Sequence, residues 1–128
     1  MKLLLDTRVL LWAAGEPERL SPATRTLMES VEHELVFSAA SMWEIVIKRS
    51  LGRADFVVDP PLLRRGLLDN GYTELPITSK HALAEDALPP IHRNPFDRIL
   101  VAQATVAGMV LVTADPVVLR YPGPIRGA

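Results

Sequence analysis

Cysteine is absent from the 128-residue sequence. Disulfide bonds and thiolate metal ligands are therefore excluded, and the composition fits a reducing compartment. A strong charge of either sign is also missing, because the formal net charge is −1. No overall basic field therefore indicates a nucleic-acid ligand, although a local basic rim can coexist with a balanced total.

Long hydrophobic runs are missing as well, and no segment approaches the length of a membrane span. The apolar segment at the N-terminus resembles the start of an export signal, but Asp6 and Arg8 interrupt it. Hydrophobic residues make up 48% of the chain and charged residues 23%, values typical of globular proteins. We therefore predict a soluble, cytoplasmic protein without membrane contact, folded as a single domain over residues 1–128.

Short apolar runs alternate with helical segments along the chain. The runs predict strands over Leu3–Leu5, Leu35–Phe37, Thr73–Ile77 and Met109–Thr113. Polar caps, first-turn prolines and apolar stripes predict helices over Thr7–Ala14, Pro22–His33, Ala39–Leu51, between Asp59 and Asn70, from Thr78 to Asp86, and over Pro95–Ala107. This alternation predicts an α/β fold with a parallel sheet covered on both faces. The Pro- and Gly-rich tail from Pro122 is expected to carry little regular structure.

Four carboxylates have apolar neighbours in the sequence, where burial is costly without a positive partner: Asp6, Glu44, Asp97 and Asp115. Each also has a purely structural explanation. Asp6 and Asp115 follow predicted strands and can cap what comes next. Asp97 suits the first turn of its helix, and Glu44 can pair with Lys48, four residues on, on an exposed face.

Taken together, the four acids favour a shared site. The carboxyl ends of parallel strands lie along one sheet edge, so residues that follow those strands can converge there. Several carboxylates in one crevice repel each other unless a cation neutralises them. Oxygen ligands suit Mg²⁺ or Mn²⁺, which can activate water and stabilise the leaving oxygen of a phosphodiester. The pattern therefore favours metal-dependent phosphoryl hydrolysis.

The segments around these acids match a known pattern in the same order along the chain. They are Leu3-Leu4-Leu5-Asp6-Thr7, Trp43-Glu44-Ile45, His92-Arg93-Asn94-Pro95-Phe96-Asp97-Arg98 and Leu111-Val112-Thr113-Ala114-Asp115. With these segments the sequence resembles the PIN domain, specifically the VapC toxins of bacterial toxin–antitoxin modules. Each segment alone is weak evidence for the family, but the combination is specific for it and spans nearly the whole chain.

The resemblance implies a three-layer α/β/α sandwich with a central, mainly parallel sheet, and ribonuclease activity that depends on Mg²⁺ or Mn²⁺. It implies a catalytic, metal-binding role for Asp6, Glu44, Asp97 and Asp115, and Thr113 matches a Ser/Thr position whose hydroxyl orients a ligand or water. Relatives usually pair with a cognate VapB-type antitoxin and form homodimers. The predicted function is the toxin of a type II toxin–antitoxin system, an endoribonuclease that hydrolyses RNA phosphodiester bonds.

Asp6 and Asp97 are the expected direct metal ligands. Glu44 and Asp115 are expected to bind metal directly or through water, or to position the nucleophile. A basic rim is expected to hold RNA through its phosphates, with candidates Arg8, Lys48, Arg93 and Arg98.

Two positions depart from the family pattern. Many relatives carry His where this chain has Arg8, and Asp where it has Asn94. Arg8 adds a permanent cation beside the site, and Asn94 is still expected to cap its helix.

Two other functions compete with the predicted one. A non-catalytic RNA-binding or scaffold module is possible for this fold, but the presence of all four acids speaks against a degenerate site. A phosphatase of the haloacid-dehalogenase type also ends its first strand on an aspartate, but it requires a second Asp at the position where this chain has Arg8.

The aromatic and histidine residues have simpler expected roles. Trp12 and Trp43 lie in apolar helical contexts and are expected to pack in the core. His33 and His81 are expected at the surface. His92 is expected to be a loop residue that shapes the entrance of the site.

Overall fold

A five-stranded parallel sheet forms the centre of the computed structural model, which describes all residues from Met1 to Ala128. The strands are β1 (Lys2–Leu5), β2 (Glu34–Ser38), β3 (Thr73–Leu75), β4 (Val110–Thr113) and β5 (Ile125–Gly127). Their order is β3-β2-β1-β4-β5, and every neighbouring pair runs parallel. The central position of β1 explains its three consecutive leucines, because such a strand is covered on both faces.

Six α-helices connect the strands: α1 (Thr7–Gly15), α2 (Pro22–Glu29), α3 (Ala39–Ser50), α4 (Pro60–Asp69), α5 (Ser79–Asp86) and α6 (Pro95–Ala107). A polar side chain accepts a backbone N–H in the first turn of each helix, namely that of Asp6, Ser21, Ser38, Asp59, Thr78 and Asn94. The first N–H groups of a helix have no partner within it, so these side chains supply one. The predicted helix starts, which rest on these local signals, are confirmed.

Two hydrophobic cores lie on opposite faces of the sheet. Leu3 and Leu5 point into one, which also contains residues of α1, α3 and α4, and Leu4 points into the other, which contains residues of α6. Side chains alternate between the faces of a strand, so β1 serves both cores. The predicted three-layer α/β/α sandwich is confirmed. None of its helices combines the length and apolar character needed to cross a membrane.

Three predicted boundaries are wrong, and one of them is the end of β3, which lies at Leu75 instead of Ile77. The tail from Pro122 contains β5, which pairs with β4 in the register Leu111↔Ile125. Its pairing uses backbone groups at the open edge of β4, which the local Pro and Gly content does not reveal. Helix α2 ends at Glu29 instead of His33, and Val31 is fully exposed because the chain is already turning toward β2.

The predicted burial of two side chains is wrong. Trp43 is 59% exposed and contacts the Phe96 ring edge-to-face, with ring centroids 5.3 Å apart. His81 is buried, and its Nδ1 accepts the backbone N–H of Thr78 at 3.0 Å in a capping box. In both cases the burial depends on which helix packs over the residue, and that is a long-range property.

Candidate metal and active site

All four acids singled out in the sequence line one cavity of about 480 Å³. Asp6 follows β1 and Asp115 lies two residues beyond the neighbouring strand β4, so the parallel topology brings them to the same sheet edge. Glu44 reaches the cavity from α3, and Asp97 reaches it from the first turn of α6. The convergence expected at the carboxyl ends of the strands is therefore present.

Asp6 is both a helix cap and a site residue. Its Oδ1 accepts the backbone N–H of Val9 at 2.8 Å, which caps α1. Its Oδ2 accepts the Thr113 hydroxyl at 2.6 Å and the backbone N–H of Ala114 at 3.0 Å. Burial raises the pKa of Asp6, and these three hydrogen bonds oppose the rise. A carboxylate offers about four lone-pair sites, so one direction stays free for a ligand while the others fix the orientation.

Thr113 is fully buried, and its contact with Asp6 identifies its role in the structure. The resemblance implied that the hydroxyl orients a ligand or water. In the structure the hydroxyl orients the Asp6 carboxylate, so Thr113 acts on the site through Asp6.

Glu44 is held on both carboxylate oxygens. Thr7 donates its hydroxyl to Oε1 at 2.6 Å, and Lys48 Nζ lies 2.5 Å from Oε2. The predicted pair with Lys48 is thus present, but it is not on an exposed face, because the Glu44 side chain is only 4% exposed. The pair instead supplies the positive partner that a buried carboxylate requires.

Asp97 is the least restrained of the four acids. Its carboxylate makes one polar contact, with His92 Nε2 3.3 Å from its Oδ2. Burial, reinforced by the negative charge of Glu44 and, less strongly, of Asp6 and Asp115, raises the pKa of Asp97 to about 6, although His92 acts in the opposite direction. Ionisation of Asp97 is therefore opposed first by burial and then by the negative charges of the cluster.

His92 is a loop residue that lines the cavity, as expected, but its ring lies within the acidic cluster itself. Its Nε2 lies 2.8 Å from Asp115 Oδ2, and one ring nitrogen of His92 and one oxygen each of Asp97 and Asp115 all lie within 4.8 Å of one another. Burial tends to raise the pKa of Asp115, but the hydrogen bonds from His92 and from the backbone N–H of Val117 lower it overall. A histidine just before the helix cap Asn94 is the only local signal that could have indicated this position.

The basic rim differs from the one expected. Arg98 is turned away from the cavity and donates to Glu85 and to the carbonyl oxygens of Leu88 and Pro89, so it is a structural residue. The positive residues that line the cavity are Arg8, Arg19 and Lys48. Arg8 Nη2 lies 3.3 Å from Asp55 Oδ2 in a half-exposed pair, which is weak enough to exchange for another anion.

The donor set fits a hard divalent cation. Carboxylate oxygens dominate the cluster, and these are the ligands that Mg²⁺ and Mn²⁺ prefer. Burial is the main cause of the raised pKa of Asp97 and the neighbouring carboxylates add to it, so a cation bound beside Asp97 would offset an unfavourable charge.

Asp97→Asn should stabilise the metal-free protein at neutral pH. The pKa of Asp97 is higher in the folded protein than its ordinary value of 3.8, so its contribution to stability is present below about pH 4 and is lost as the pH rises through about 6. Asparagine removes this loss, which amounts to up to about 3 kcal/mol for a shift of about two pKa units. Urea unfolding in EDTA between pH 4.5 and 8 would measure the difference. If the difference in the free energy of unfolding between variant and wild type does not grow with pH, the pKa of Asp97 is not raised in the folded protein.

Comparisons with known proteins agree with this fold. A family model for the PIN domain matches residues 3–124. The chain is 32% identical over 126 residues to the ribonuclease VapC22 of Mycobacterium tuberculosis, in an alignment that covers 96% of this chain and 95% of that protein.

Solved structures have the same fold at much lower sequence identity. A crystal structure of VapBC2 from Rickettsia felis, bound to a DNA fragment from its promoter, superposes with a TM-score of 0.73 at 13% identity and covers 99% of this chain and 98% of that chain. A DNA-bound VapBC from Salmonella typhimurium gives a TM-score of 0.69 at 16% identity with the same coverage. At these identities the likeness concerns the fold alone.

Proposed function

The chain belongs to the PIN domain family, and on this basis we propose that it is the toxin of a type II toxin–antitoxin system, a divalent-metal-dependent endoribonuclease that hydrolyses RNA phosphodiester bonds. The observation that carries the proposal is the convergence of four carboxylates, from two strand ends and two helices, on one cavity. We also propose that residues 1–128 form a single PIN domain, since the sheet includes segments from both ends of the chain.

The four acids have different proposed roles because their surroundings differ. Asp97 and Asp6 are the proposed direct ligands of Mg²⁺ or Mn²⁺: Asp97 is nearly free of other partners, and Asp6 is held in one orientation. Glu44 and Asp115 each have one oxygen engaged by the nitrogen of a basic side chain, Lys48 Nζ for Glu44 and His92 Nε2 for Asp115, which suits them to bind metal through water or to position the nucleophile. A cation bound there would polarise the phosphodiester and lower the pKa of an attacking water.

The cations on the cavity wall provide the proposed contact to RNA. Arg8, Arg19 and Lys48 line the same cavity as the acids, and phosphate contacts of this kind hold a nucleic acid without reading its sequence. Arg93 is exposed at the end of the loop that leads into α6 and remains a candidate. Arg98 is excluded because its guanidinium is engaged by the adjacent loop.

The proposed partners are an RNA substrate, a cognate VapB-type antitoxin and a second copy of the chain. The relative from M. tuberculosis is named as a VapC ribonuclease, and the solved neighbours are VapBC complexes.

Growth arrest on induced expression, relieved by co-expression of the adjacent small gene, would support the toxin role. Normal growth of cells that accumulate the folded wild-type protein would count against it.

Removal of divalent metal should abolish cleavage of RNA by the purified protein. EDTA is expected to stop the reaction, and Mn²⁺ or Mg²⁺ in excess over the chelator is expected to restore it, because the carboxylates alone offer no positive charge to the phosphodiester. Product formation on labelled single-stranded RNA would measure this. RNA binding without cleavage at any metal concentration would favour the non-catalytic module instead.

A further inference from the structure

The ring of His92 is fixed in one tautomer by its own loop. The backbone N–H of Asn94 donates to His92 Nδ1 at 3.0 Å, so Nδ1 carries a lone pair and no proton. The ring proton must then reside on Nε2, an assignment that follows from the hydrogen bonds and not from a visible hydrogen.

The proton on Nε2 points into the acidic cluster. Nε2 lies 2.8 Å from Asp115 Oδ2 and 3.3 Å from Asp97 Oδ2. A nitrogen that carries a proton has no lone pair to offer a metal. Coordination through Nε2 would require the proton to move to Nδ1, where it would face the Asn94 N–H, and two donors would then oppose each other. His92 is therefore arranged as a hydrogen-bond donor.

A second network fixes the place of His92 in the loop. Its backbone N–H donates to the Tyr121 hydroxyl at 2.8 Å, and Arg98 Nη1 lies 3.1 Å from the same oxygen. Arg98 also donates to the carbonyl oxygens of Leu88 and Pro89 at 3.4 and 3.0 Å, so it ties down the start of the loop that carries His92. Tyr121 is buried, which makes this clamp part of the core on the α6 side of the sheet.

We infer that His92 is a positioning residue of the metal site, a fixed donor that holds Asp115 and Asp97 together, and that it is not itself a metal ligand. The two carboxylates come from different elements, the end of β4 and the start of α6, and they repel each other. A donor between them offsets this repulsion and sets the orientation of Asp115. The inference rests on the proposed metal-dependent function and adds to it a residue outside the acidic set.

Two substitutions test the roles of the two ring nitrogens of His92 one at a time. His92→Asn keeps an acceptor near the position of Nδ1 and deletes the donor at Nε2. His92→Gln keeps a donor near the position of Nε2 and deletes the acceptor at Nδ1. His33→Asn is the matched control, because His33 lies outside the cavity.

The experiment measures binding of Mn²⁺ to the purified protein by electron paramagnetic resonance, together with electron spin echo envelope modulation of the bound ion. We expect no nitrogen directly coordinated to Mn²⁺ in the wild type. We expect His92→Asn to weaken Mn²⁺ binding about 10- to 100-fold, the usual loss for a residue that orients a metal ligand. His92→Gln should retain most of the affinity, and His33→Asn should bind like the wild type.

The outcomes separate this inference from the proposed function. An imidazole nitrogen coupled directly to Mn²⁺ in the wild type would make His92 a ligand and overturn the inference, while leaving a metal-dependent nuclease intact. Unchanged affinity in His92→Asn would also overturn it. Absence of Mn²⁺ binding in the wild type would overturn both. The spectroscopic result uses wild-type protein, so it holds even where a variant fails to fold.

Discussion

Asp97→Asn should reduce the rate of RNA cleavage about 1000-fold. A cation that polarises a phosphodiester supplies several kcal/mol of transition-state stabilisation, and each 1.4 kcal/mol corresponds to a factor of ten in rate. Asp97 is the acid with the fewest other partners and the proposed primary ligand, so loss of its charge should largely empty the site of metal. Asparagine is nearly isosteric and keeps a polar atom at each position, so the fold should be unaffected.

The measurement is single-turnover cleavage of labelled RNA at a Mn²⁺ concentration that just saturates the wild type, with the variant and wild type purified in the same way. Asp69→Asn is the matched control, since Asp69 is an exposed aspartate at the end of α4 and lies outside the cavity. This control should cleave like the wild type. Equal cleavage by Asp97→Asn and wild type would mean that the activity comes from a contaminant, and the proposed mechanism would fail.

The same substitution is expected to increase stability and remove activity. Without metal, Asp97 is ionised at neutral pH although it is largely buried and surrounded by other carboxylates, and its raised pKa reflects that cost. Asparagine removes the cost of ionisation, but it has no negative charge with which to bind a cation. Functional sites commonly trade stability for activity in this way, and opposite signs for the two effects would identify Asp97 as a functional rather than a structural carboxylate.

Lys48→Met should destabilise the protein by about 3–5 kcal/mol, the usual result of leaving one member of a buried ion pair without its partner. The Glu44 side chain is 4% exposed and the Lys48 side chain 20%, with Nζ 2.5 Å from Oε2. Methionine retains the aliphatic stem and removes only the charge. Glu44 would then be buried beside Asp6 and Asp97 with only the Thr7 hydroxyl to stabilise it.

Chemical denaturation of single and double variants would measure this effect. Adding Glu44→Gln to Lys48→Met should recover much of the lost stability, because the unpaired charge is then gone. Added Mn²⁺ should also recover part of it by compensating Glu44 electrostatically. The matched control is Arg64→Met, which removes a half-exposed partner of Glu74 and should cost less than about 1 kcal/mol. A similar small loss for Lys48→Met would show that Glu44 is stabilised by something other than Lys48.

Local chemistry in the sequence determined the framework of this protein. Caps such as Asp6, Asp59 and Asn94 mark where helices begin because their side chains satisfy backbone donors only a few residues away. The three leucines of β1 indicated a strand buried on both faces. The convergence of Asp6 and Asp115 could also be predicted, because a parallel sheet places the ends of its strands along one edge, whereas Glu44 and Asp97 reach the site from α3 and α6.

Only the tertiary structure decided how the site is completed. It placed His92 between Asp97 and Asp115, turned Arg98 away from the cavity, left Trp43 exposed and paired the C-terminal tail with β4. Each of these outcomes depends on groups that are far apart in sequence or on which surface happens to be covered. Tyr121 and Arg98, which hold the His92 loop, are separated by 23 positions, and no local pattern encodes that contact. Local hydrogen bonds act over a few residues and can be read from the sequence, whereas packing of side chains from distant segments is set only when the whole chain has folded.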